Sequence, residues 1–255
     1  MSQGGVISRP NTFSAAHFTG ALAAALALGA GPASAQQMVP LMQRNDVRTG
    51  PSASYATSDG QLRFVFDRSG RRAALLRFEG DPEVHVLRPF AAAGGDELYR
   101  DETGDVALRI TPHGGIVVYT RNRRTGAAVA EVGAVAPISP QALAIAEYQN
   151  RMRQLQAASA RVIGRPVLFV APSAMQPGPG AGLVLDAASL AAQSIANQPG
   201  VQVARVVIRI GPAPAARIEG DALDIQVAPQ MGYAGRPSTT AIRAALSSGP
   251  AGPER

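Results

Sequence analysis

Beyond residue 35 the chain carries two histidines, His85 and His113, and neither has another histidine near it in sequence. A zinc site needs two or three clustered ligands, so each is read as a solitary side chain. His85 sits in a strand pattern between Val84 and Val86, and His113 in an exposed Pro-His-Gly-Gly turn. Carboxylates are better grouped: Asp101, Glu102 and Asp105 lie together, with Asp96 and Glu97 one strand earlier. A facing pair of carboxylates could hydrolyse a glycosidic bond, their separation setting the stereochemistry. Acids beside turn glycines also serve hairpins through local hydrogen bonds. That is the reading taken here, because no acid falls on an apolar strand. Gly178, Gly180 and Gly182 spell GPGAG and not the GxGxxG of a dinucleotide loop, and the next strand ends at Ile210-Gly211 without an acid for a ribose. The stretch is read as a surface loop. No Gly-x-Ser-x-Gly elbow occurs.

Composition removes further chemistries. The 255 residues include no cysteine, and all 24 basic residues are arginine. Thiolate metal sites, thiol nucleophiles, Schiff-base lysines and a P-loop lysine are therefore excluded. The net charge is +6, or +5 without Arg9, and the arginines are spread along the chain. Nucleic-acid arms carry blocks of like charge instead, so no nucleic-acid partner is expected. One local cluster stands out, Arg121, Arg123 and Arg124 in the turn 121–126. Guanidinium groups pair bidentately with phosphate or carboxylate, which makes these three the candidate anion-binding residues. A solvated hairpin tip is the plainer alternative.

The elements that would position these groups begin with a leader. Arg9 lies in a polar stretch, an alanine- and leucine-rich run follows over 21–30, and Ala33-Ser34-Ala35 fits a signal cleavage rule. Residues 1–35 are read as a signal peptide cut after Ala35, placing the protein in the periplasm or secreting it. The apolar run is too short to span a bilayer, and no later run could, so the mature chain should have no transmembrane segment. Residues 36–57 show no trusted period and are read as a flexible arm.

From Leu62 the pattern is that of strands. Leu62, Phe64 and Phe66 alternate with polar neighbours, as do Val106, Leu108 and Ile110. Glycine-marked turns about ten residues apart predict an antiparallel meander over 62–132, as a barrel, a roll or a sandwich. Ser139-Pro140 then resembles a helix cap, and three-and-four spacing through Tyr148, Met152 and Leu155 predicts an amphipathic helix over 139–162. A strand at 167–171, a loop at 172–182, a helix at 185–197, strands at 201–210 and 222–227 paired through a tight turn at Glu219-Gly220-Asp221, and a helix at 239–246 complete an α+β part over 139–246. The tail 247–255 is read as disordered. The fold class is α+β, with the β-rich part first and the smaller α+β part second.

Several stretches resemble a family of secreted bacterial proteins described only as a domain of unknown function. They are Phe66-Asp67-Arg68-Ser69-Gly70, Arg77-Phe78-Glu79-Gly80-Asp81-Pro82-Glu83-Val84, Gly95-Asp96-Glu97-Leu98-Tyr99, the segment 108–120 and Ala234-Gly235-Arg236-Pro237-Ser238. The resemblance implies export and a two-part chain, and brings no activity, ligand or site residue with it. The functional expectation is a non-enzymatic envelope protein that binds or supports an anionic component and uses no cofactor. The alternative is an exported hydrolase of cell-wall glycans working through paired carboxylates.

Overall fold

The computed structural model describes residues 51–171, 177–198 and 200–248. The leader and most of the arm lie outside them. Eight antiparallel strands come first: β1 Ser52–Thr57, β2 Arg63–Asp67, β3 Ala74–Phe78, β4 His85–Ala91, β5 Glu97–Arg100, β6 Val106–Ile110, β7 Ile116–Thr120 and β8 Arg123–Ala134. Each pairs with the next, and β8 returns to pair with β1, Tyr55 opposite Glu131, so the meander closes as a barrel. Closure removes the free edges an open sheet would expose. The turns are where the glycines promised them: Gly104 and Gly114 sit at φ 90° and 82°, a region cheap for glycine alone.

Alternation sends one side chain in two to the barrel interior, where Tyr55, Phe64, Phe66, Leu76, Leu87 and Leu108 are fully buried. Tyr55 stacks on Phe64 with ring centroids 5.5 Å apart, and Phe66 meets Tyr99 edge-on at 4.8 Å. The barrel is therefore filled, with no lumen for a ligand. It is also the inverse of a lipid-spanning barrel, which needs strands of about 9–11 residues, an apolar exterior and a polar interior; here β1 to β7 have four to seven residues. No helix among the described residues is long and apolar enough to cross a membrane.

The second part consists of α1 Ile145–Ile163, β9 Leu168–Val170, α2 Pro179–Ala196, β10 Arg205–Ile210, β11 Ala215–Glu219, β12 Ala222–Val227 and α3 Thr239–Ser248. Its sheet runs β11-β12-β10-β9. Phe169, Val206, Ile208, Leu223, Ile225 and Val227 point from it into one core with the buried leucines and alanines of α2. The small side chains of α2 let α1 pack closely on it, with Tyr148 buried between them. Val65, Leu75 and Val86, pointing outward from β2, β3 and β4, join this same core. The barrel wall is thus one face of the second part.

Five expectations are corrected. Residues 52–57 of the supposed arm form β1, since Ala53, Tyr55 and Thr57 fill the barrel. Helix α1 starts at Ile145 and not at Ser139, because the preceding stretch is held extended: the Ile138 N–H donates to Asp67 at 2.7 Å, and Leu143 bridges to Gly178. The GPGAG stretch is no loop, for Pro179, Gly180 and Gly182 form the first turn of α2. Strands β10 and β12 are parallel, and the Gly220 turn joins β12 to an unforeseen β11. Ser247 and Ser248 of the supposed tail complete α3.

Candidate functional site

Where barrel and second part meet, a cavity of about 1030 Å³ opens to the surface. Its barrel side comes from the β2–β3 turn, the start of β4 and the Asp101-Glu102 turn after β5; its other side comes from 138–140, the start of β11 and residues 230–241. Apolar wall is supplied by Leu75, Val84, Val86, Ile138 and Met231.

Short polar clasps hold the two sides together. Asp67, buried at the end of β2, accepts from Ser69 N–H at 2.9 Å and from Ile138 N–H. Glu83 accepts from the Thr239 N–H at 2.9 Å, filling one orphan position at the start of α3. Ser238 caps the same helix by accepting from the Ala241 N–H at 3.0 Å, and its hydroxyl donates to Glu102 across the cavity mouth. At the centre lies Arg236, only 6% exposed. Its Nη2 donates to the Val84 carbonyl at 2.9 Å, and the guanidinium carbon stands 5.5 Å from the Tyr233 ring centroid. A buried cation needs counter-charge, and Asp186 and Glu83 supply it. Burial pushes the Asp186 carboxyl above its usual range in spite of the opposing pull of Arg236. Burial, and then Asp186, pushes the Tyr233 hydroxyl up to about 12.

The sequence-predicted groups are scattered by comparison. His85 lines the cavity half-buried, its Nε2 3.8 Å from Asp81 and its ring edge-on to Phe78, while His113 is exposed on the β6–β7 turn. Among the described residues no three potential ligands gather around a metal position. Asp101 accepts from Thr103 N–H, Thr103 Oγ1 and Asp105 N–H at 2.7–3.0 Å, and Asp96 pairs with Arg109 at 2.6 Å. These acids shape turns.

The arginine tip is also changed. Arg121 and Asn122 alone make the turn, with Arg123 and Arg124 already in β8. Arg123 Nη2 reaches Asp59 at 3.0 Å and Gln61 at 3.1 Å. The Asp59 carboxyl is lowered to about 2, first by the Thr57 hydroxyl, then by the Gln61 N–H and Arg123. Only Arg121 and Arg124 remain exposed there without an ion pair among the described residues.

Three other arginines, unremarked in the sequence, border the cavity: Arg71, Arg72 and Arg88 are exposed and carry no ion pair among the described residues. The adjacent Arg71-Arg72 after Ser69-Gly70 is a signal as strong as the tip. Arg236 has a fainter one, its place between glycine and proline just before a capping serine. Two stretches that carried the family resemblance, 77–84 and 234–238, meet in this cavity through Arg236 and Val84. No curated protein and no solved structure matches the chain. A family model does match, over residues 27–246, and the chain belongs to that family, described as a domain of unknown function (DUF4908).

Proposed function

We propose that the protein is exported and serves in the cell envelope as a non-enzymatic binding module, with the junction cavity as the site for an anionic ligand. One observation supports this above others. Each carboxylate lining the cavity, Asp67, Glu83, Asp101 and Glu102, is already spent on a hydrogen bond that builds the fold, while Arg71, Arg72 and Arg88 are unspent. A glycan hydrolase needs one carboxyl free to give a proton and another free to attack or activate water. A binding site for an anion with an apolar portion needs unpaired guanidinium groups beside an apolar wall.

The anionic fluorophore 8-anilinonaphthalene-1-sulfonate is a direct probe of the cavity. It should bind the mature chain saturably, and more weakly as salt rises, because exposed charges are screened over about 8 Å at physiological ionic strength. Replacing Arg71, Arg72 and Arg88 together with serine should weaken binding by about tenfold or more. Stability should hardly change, since exposed substitutions shift it by about 0.5 kcal/mol or less. Replacing Arg121 and Arg124 should leave binding within about twofold. If the tip variant loses the probe and the cavity variant keeps it, the site lies at the tip.

Export rests on the leader. Amino-terminal sequencing of the periplasmic or secreted form should read Gln36-Gln37-Met38. An intact leader on a cytosolic protein would end that part of the proposal.

A further inference from the structure

We infer that two copies of the chain join through the free edge of β11, which pairs antiparallel with β11 of the second copy about a two-fold axis at Ile218. The inference goes beyond the cavity reading and stands without it.

Elsewhere in the described chain the sheet edges are managed. The closed barrel has none. On β9 the Leu168 N–H donates to the Ala204 carbonyl at 2.9 Å, on the β10 side, so Phe169 turns its backbone groups outward. There Gln156 of α1 takes the Phe169 N–H at 3.2 Å. Strand β11 is different. The Asp221 and Val227 carbonyls accept from Ala204 and Gly211, toward β10. Alternation therefore turns Ala222, Asp224 and Gln226 toward β11, where Glu219, Arg217 and Ala215 complete the hydrogen-bonded pairs. Ala216 and Ile218 are left pointing their N–H and C=O groups away from β12, and among the described residues nothing bonds to them. The usual guards of an edge are missing too. Strand β11 has no proline, no bulge and no charge on its inner face, where Ala216 and Ile218 pack on the core.

A second copy fits this edge by charge. The outer face of β11 carries Ala215, Arg217 and Glu219, and the two charged side chains are exposed and 2.6 Å apart. A two-fold axis at Ile218 sets Arg217 of each copy opposite Glu219 of the other, in the close pair that exchanges no hydrogen bonds. The four charges then alternate in sign around the axis. Ile218 meets Ile218 of the second copy, exchanges both backbone bonds with it and covers a side chain now only half-buried. Other axes fit worse. One at Arg217 puts two arginines face to face, and one at Ala216 puts Pro214, which has no N–H, opposite Ile218. An isologous contact uses the same edge twice, and β9 is plugged, so assembly stops at two copies. So short an edge buries less than the roughly 1,600 Å² of a standard interface, and the dimer should dissociate at about 10–100 µM.

The test uses the mature protein. Sedimentation velocity from about 5 to about 500 µM should show monomer giving way to dimer and nothing larger. Glu219→Arg should weaken self-association about tenfold or more, since like charges then face each other twice. Its urea midpoint should stay that of the wild type, because the side chain is exposed. The chain has no cysteine, so single-cysteine variants report the register. An equimolar mixture of Arg217→Cys and Glu219→Cys should form a disulfide between copies on mild oxidation, faster than either variant alone, because close pairs bring Cβ atoms near the span of a disulfide. The mixture also keeps the second Arg217–Glu219 pair. If Arg217→Cys alone cross-links fastest, the axis at Ile218 is wrong. A chain that stays monomeric throughout overturns the inference. If such a chain dimerises once residues 249–255 or 36–50 are removed, that segment covers the edge, and the second copy is not the natural occupant.

Discussion

Exchange of Arg236 for methionine is expected to cost about 3–5 kcal/mol of folding stability, the usual penalty for removing one partner of a buried charge cluster. The side chain is 94% buried by its 6% exposure, so solvent cannot take over its role. Methionine fills the volume but leaves the buried Val84 carbonyl without its donor and strips counter-charge from Glu83 and Asp186. Urea unfolding of the mature chain at pH 7 reads the effect. A midpoint close to wild type would mean that the guanidinium is a bystander. Asp186 supplies an internal check with a definite sign. Because burial raises its folded pKa, the unfolded chain ionises first as pH climbs through the ordinary carboxyl range near about 4. Stability is then lost with rising pH until the folded group ionises too. Asp186→Asn should therefore flatten this loss, so that its urea midpoint falls less than that of the wild type between about pH 3.5 and pH 7. The difference should be larger in the Arg236→Met background, where only Tyr233, Arg151 and Arg77 still offset the burial of the carboxylate.

The second large effect is expected at Gly235. A methyl group there would fall on the backbone carbonyl of Ala228. That contact cannot swing aside, because the Ala228 N–H donates to the Gly235 carbonyl at 2.7 Å and the 3-10 helical segment Pro229–Gly235, kinked at Gly232, closes between them. Gly235→Ala should lower stability by at least about 3 kcal/mol, at the upper end for overpacking, since backbone must move. The displacement would be passed to Arg236, so probe binding in the cavity should fall in whatever fraction stays folded. An alanine variant with an unchanged urea midpoint would show that the turn can open without cost.

What the sequence revealed, and what it hid, follows from how each residue spends its side chain. Val106, Leu108 and Ile110 alternate because half of β6 faces a dry interior, and that period is visible with no other knowledge. Strand β1 escaped because its inward set is Ala53, Tyr55 and Thr57, with one large apolar residue among Ser and Ala, the composition of a linker. The α1 stripe was legible, but Ser139-Pro140 deceived: its neighbour Ile138 bonds to Asp67, 71 residues earlier, and no local rule reports such a partner. Strands β10 and β12 were each plain, and Arg209 meets Asp224 at 2.7 Å across the pair. Their parallel relation depends on β11, whose alternating Ala216 and Ile218 are half-buried and weak as a signal. Arg236 was hardest. Arginine is a surface residue by habit, and its burial is decided by Glu83 and Val84 from one distant stretch and Asp186 from another.

The spacing of the cavity clasps also bears on the order in which the molecule assembles. Barrel closure joins β1 to β8 within the first half of the described chain, whereas the Glu83–Thr239 and Arg236–Val84 bonds link residues 156 and 152 positions apart. Contacts across so much sequence form late, because the loop must be closed before they reward it. A chain emerging from its amino terminus can complete the barrel while β2, β3 and β4 still show Val65, Leu75 and Val86 to water. For that interval the wall of the future cavity is an uncovered apolar patch, vulnerable to association with other chains. The core of the second part covers it, and the late segment 234–248 finishes the site, so binding competence and protection from aggregation are acquired together.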